Sequence, residues 1–131
     1  FTLPEDAEII ELKFQFVWKH EDGVYCAVPF EKIDSISDED YEEYYAFWRA
    51  QAKNGRLKLI SAINPKTPSS KTKRDKAVKV LPEIFSHSAI IVDSVLAKMA
   101  MNLFLGFKQP IDYNIKSFSN FASAKKWVSS V

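Results

Sequence analysis

From Ile10 to Trp18 the chain alternates, with Ile10, Leu12, Phe14, Phe16 and Trp18 on one side and Glu11, Lys13, Gln15 and Val17 on the other. A period of two with one largely polar side predicts a half-buried strand. "KHEDG" then ends in Asp-Gly, a tight-turn pair, and Val24, Cys26, Val28 and Phe30 alternate again, so the first two strands form a hairpin. The pattern next changes period. Tyr41, Tyr44, Tyr45, Trp48 and Ala52 recur at helical spacing, Ser37 precedes three carboxylates where a helix dipole favours negative charge, and Asn54-Gly55 supplies a stop. The aromatic stripe is read as core packing rather than as a ligand-stacking row.

"RLKLISAI" (56–63) predicts the next strand, and "NPKTPSS" a loop whose prolines exclude regular structure. A helix follows from about Ser70 to the neighbourhood of Pro82. "SAIIVD" (88–93) is apolar on successive residues, as in a central strand covered on both faces. Asp93 or Ser94 opens a helix to Phe107, "IDYNIKSF" is a last strand, and "NFASAKKWVSSV" a last helix. The order is β-β-α-β-α-β-α-β-α in one α/β domain, with strands starting near 57, 88 and 111. Those gaps leave room for right-handed crossovers, which makes a mostly parallel five-stranded sheet.

This order, with "AIIVDSVLAKMAMNLFLGFKQP" and the terminal "FSNFASAKKWV", resembles the STAS-like (SpoIIAA-like) bacterial proteins. The residues that carry the likeness are Val92, Asp93, Ser94, Met99, Leu103, Phe104, Lys108, Pro110, Phe118, Ala124 and Trp127. The resemblance implies a sheet of nearly sequential strand order, helices mainly on one face, and no enzyme. Its better-known members antagonise anti-sigma factors through a phosphorylatable Ser in an Asp-Ser-Ser-Gly-like motif. Here that region reads "INPKTPSSKTKRDK", with Asn64 for the Asp, Lys71 for the Gly, and Ser69 and Ser70 as phosphoacceptor candidates.

Composition narrows the chemistry. In 131 residues, 18 Lys and Arg against 17 Asp and Glu give a formal charge of +1, so no global field draws the chain to nucleic acid or membrane. No apolar run approaches the ~18–20 residues of a membrane span. The single Cys26 excludes an internal disulfide and fits a reducing cytoplasm. The first residue is Phe1 rather than Met, so residues preceding it are expected. One Cys and two separated His provide no metal-ligand spacing, and no cofactor is implied.

Asp93 and Ser94 sit where hydrolases place a nucleophile. His20 and His87 are expected at the far end of the sheet, so the pair is read as a helix cap. The basic run Lys66, Lys71, Lys73, Arg74, Lys76 and Lys79 lacks interleaved aromatics and a glycine cradle, which argues against nucleic acid. Lys71, Lys73 and Arg74 remain candidates for an anion or a partner protein. The helix after Ser94 has the core stripe Leu96, Met99, Ala100, Leu103, Phe104 and Phe107. Met101 and Leu105 extend its apolar arc, which a neighbouring helix or a second copy in a homodimer would cover. The expected function is a non-catalytic interaction module that binds a partner protein under Ser phosphorylation. A small-molecule or lipid carrier is the alternative, and an empty pocket lined by Tyr44, Trp48, Phe104 or Trp127 would mark it.

Overall fold

The computed structural model describes residues 1–67, 70–105 and 113–131, with the backbone alone at 100 and 103–105. Its elements are β1 (Ile10–Glu11), β2 (Gln15–Glu21), β3 (Val24–Pro29), α1 (Asp38–Gln51), β4 (Leu57–Ala62), α2 (Lys71–Ile84), β5 (Phe85–Ile91), α3 (Val95–Leu105), β6 (Asn114–Phe118) and α4 (Phe121–Ser130). They build an α/β fold around one six-stranded mixed sheet whose strands lie side by side in chain order. β1, β2 and β3 pair antiparallel, and β3 to β6 pair parallel.

The sixth strand corrects the expected five. The alternating run from Ile10 to Trp18 is not one strand but folds back on itself, pairing Ile10 with Val17 and Glu11 with Phe16. The Leu12 N–H donates to the Gln15 carbonyl at 2.9 Å and closes the turn over Lys13 and Phe14. The next turn is as expected: Gly23, at φ 77°, takes the left-handed conformation that the β2–β3 hairpin requires.

Alternation along the strands divides the core between two faces. Val17, Tyr25, Leu59 and Phe85 point to one face, where Tyr45 and Trp48 of α1 and Val80 and Ile84 of α2 cover them. Trp18, Cys26, Ile60 and Ala89 point to the other, beneath Ala124 and Val128 of α4. Covering both faces accounts for the successive apolar residues Ala89, Ile90 and Ile91 at the end of β5. Ile115 packs against both the first cluster and that of Val92, Ala97 and Met101, which sets α3 on the same face of the sheet as α1 and α2. Helices thus gather mainly on one face.

β5 begins at Phe85, three residues before the expected 88. Phe85 is fully buried against Trp48, ring centroids 5.0 Å apart, and α2 passes into the strand without a loop. Pro82 lies inside the last turn of α2, and the helix runs on to Ile84.

Candidate functional site

Parallel strands and their crossovers deliver the starts of α1, α2 and α3 to one end of the sheet, beyond the carboxyl ends of β3, β4 and β5. Ligands of open α/β sheets bind in this region. Each start is capped by a serine. Ser37 Oγ accepts from the Asp40 N–H at 3.0 Å, Ser70 Oγ from the Lys73 N–H at 3.2 Å, and Ser94 Oγ from the Ala97 N–H at 3.1 Å. At Ser37 the Asp40 carboxylate returns a bond to the cap's own N–H, completing a capping box.

Asn64 organises the loop between β4 and α2. Its Nδ2 donates to the carbonyls of Phe30 at 2.8 Å and Glu31 at 3.3 Å, while its Oδ1 accepts from the Lys66 N–H at 2.9 Å. A carboxylate has no proton to give those two carbonyls. The Asn in place of the Asp of the resembled motif therefore has a structural use here.

The basic candidates divide. Lys71 extends into solvent, its side chain 78% exposed, and meets Asp75 one helical turn on at 2.7 Å. Lys73 is partly buried; its ammonium donates to the Ile36 carbonyl and lies 5.1 Å from the centre of the Tyr41 ring. Lys76 pairs with Glu42, whose carboxyl is held below its ordinary range by that hydrogen bond and charge. Lys73 and Lys76 thus tie α2 to α1. Arg74 is partly buried in the first turn of α2. Ser70 is exposed beside Lys71, and Ser69 lies outside the described residues.

Asp93 is exposed, and Ser94 serves α3 as its cap. A serine–histidine contact does exist elsewhere, one that the sequence reading passed over. Ser86 Oγ lies 2.9 Å from His87 Nδ1, because a register shift between Leu57 and Lys58 places Ser86 opposite no residue of β4. On its other side His87 Nε2 meets the Asn114 amide at 3.5 Å, not a carboxylate. Burial, then Lys58 and Arg56, lower the His87 pKa and so favour the neutral ring. Burial also acts on other titratable groups. Burial pushes the Cys26 thiol and the Tyr113 phenol each up to about 12, and raises Tyr44 and Tyr45 as well. Among the described residues no group of three His, Cys, Asp or Glu is placed to hold a metal ion.

The expected interface through Met101 and Leu105 requires correction at Met101. Met101 is 3% exposed, packed with Ala97 and Val92 against Ile63, Ile90 and Ile115. Leu96 and Met99, assigned to the core stripe, are 57% and 62% exposed. The helix docks by its Ala97–Met101 side, where the small Ala97 admits a close approach. The Leu105 side chain lies outside the described residues.

Two of the aromatic residues that would have marked a carrier, Trp48 and Trp127, are packed against other rings. Trp48 is fully buried among Tyr25, Phe47 and Phe85, and Trp127 packs on Phe118 and His87. The Phe104 side chain lies outside those described. No helix among the described residues is long and apolar enough to cross a membrane. No protein-family profile, curated protein or solved structure matches the chain.

Proposed function

We propose that the chain is a non-catalytic interaction module of the STAS-like type. It binds a partner protein at the carboxyl end of its sheet, through the loop before α2, and phosphorylation of Ser70 controls the contact. The observation that carries the reading is the position of Ser70, an exposed hydroxyl at the N-cap of α2 with the exposed Lys71 beside it. A phosphate there would meet the positive end of the helix dipole and an ammonium that now holds only a surface ion pair. The latch of Asn64 on Phe30 and Glu31 gives the loop a fixed base from which a partner could read it. The filled core around Trp48 favours a module over a carrier, and the burial of Cys26 and Tyr113 favours binding over catalysis.

The test is recovery of the protein from its host, with mass spectrometry of its phosphorylation and of whatever stays bound. Those bound proteins are then compared among wild type, Ser70→Ala and Ser70→Asp. A partner kept by one variant and released by the other supports the reading. Identical retention by all three, with no phosphate found on Ser70, rejects it.

A further inference from the structure

We propose that a phosphate on Ser70 is felt at the start of α1, because it draws the Lys73 ammonium away from the Ile36 carbonyl. The inference rests on the reading of Ser70 as a phosphoacceptor and adds how the modified loop signals to the neighbouring helix. Phosphoryl transfer from a nucleoside triphosphate by a protein kinase forms the Ser70 Oγ–P bond, breaks the terminal anhydride bond and releases the hydroxyl proton to solvent. The product carries a charge of about −2 at the cap of α2.

Which cation answers that charge follows from the partner each one holds now. Lys71 pairs with Asp75 and Lys76 with Glu42, so each already has a carboxylate. The Lys73 ammonium donates instead to a neutral carbonyl, that of Ile36, and lies over the Tyr41 ring. A phosphate oxygen is the stronger acceptor for an ammonium. Lys73 is also in the right place. Its backbone N–H donates to Ser70 Oγ at 3.2 Å, and side chains of a helix lean toward its N-terminus, so rotation of its own stem brings the ammonium to a phosphate on that oxygen.

The other end of the contact is the entry to α1. Ile36 is 4% exposed, so its carbonyl depends on protein donors. The next residue is the cap Ser37, whose N–H donates to the Asp40 carboxylate at 3.1 Å and whose carbonyl accepts from the Tyr41 N–H at 3.2 Å. Withdrawal of Lys73 therefore loosens the first turn of α1. Tyr41 and Lys73 both line the groove between α1 and α2, and the change thus reaches a surface that a partner can touch.

The test places phosphoserine at position 70 of the full chain by genetic encoding and follows amide hydrogen exchange by nuclear magnetic resonance. The amides of Ser37, Asp40 and Tyr41 should exchange about tenfold faster than in the unmodified chain, with those of Ala124 and Val128 in α4 unchanged. Lys73→Met should give the fast exchange without phosphate, and phosphoserine in that background should add nothing. Ser70→Ala, which loses the cap alone, should leave the three amides slow. Equal exchange with and without phosphate overturns the proposal, as does a phosphate effect that survives Lys73→Met in full or is matched by Ser70→Ala. If Lys73→Met does not fold, the comparison of phosphoserine with Ser70→Ala decides. Because the phosphate is built into the chain, its effect on α1 is read independently of phosphorylation in the host, whose absence would reject the partner reading alone.

Discussion

The Asn64 side chain donates to the Phe30 carbonyl at 2.8 Å and so ties the exit of β4 to the exit of β3. Replacing Asn64 with Asp keeps the shape, removes both donated bonds and sets a carboxylate against two carbonyl oxygens. A buried or half-buried bond lost in this way costs about 1–3 kcal/mol. Urea denaturation of Asn64→Asp should show a loss of that size, and an unchanged midpoint would mean that the latch contributes nothing.

Ser94 is a cap, and its removal should behave as one. Ser94→Ala is expected to cost about 0.5–2 kcal/mol, with Ser94→Asp close to wild type because Asp also caps well. Thermal melting of the two variants checks this. Asp93→Asn should leave the melting temperature nearly unchanged, since Asp93 is an exposed surface carboxylate.

The orientation of α3 separates its two methionines. Met101, at 3% exposure, should cost about 2–5 kcal/mol when cut to Ala, whereas Met99, at 62%, should shift stability by no more than about 0.5 kcal/mol. Equal losses at both positions would return the helix to the face that its apolar pattern alone suggests.

Cys26 has no exposed surface, and burial alone raises its thiol from 9.0 to about 12. Folding therefore favours the protonated thiol. Its contribution to stability is complete below about 9 and is lost as pH rises toward about 12. Folded protein at pH 8 should resist alkylation by iodoacetamide, and labelling should appear only as denaturant opens the sheet. Rapid labelling without denaturant would contradict this burial.

The parts legible in the sequence are those where one physical signal acts alone. Ser37 with its carboxylates marks the start of α1, Asp22-Gly23 marks the β2–β3 turn, and the two-sided apolar run marks β5. The break between β1 and β2 was hidden because Lys13 and Phe14, which form its turn, carry no turn preference and do not interrupt the alternation. The docked face of α3 was hidden for the opposite reason: a helix apolar nearly all round gives a wheel no face to choose, and contact with Ile90 and Ile115 decides it. At the candidate site, Ser70 and Lys71 stand where expected. The sequence could not reveal that Lys73 and Lys76 are engaged by α1, because those contacts join residues far apart in the chain.

The side-by-side order of the strands bears on how the molecule comes into being. Each strand from β2 to β6 pairs with the one made just before it, so every new strand leaving the ribosome meets an edge already waiting. The β1–β3 meander can assemble first from near neighbours, and each later crossover then adds one strand at a single growing border. No strand has to be inserted between two others already joined, which spares the chain the reopening of finished pairs that an interleaved order demands.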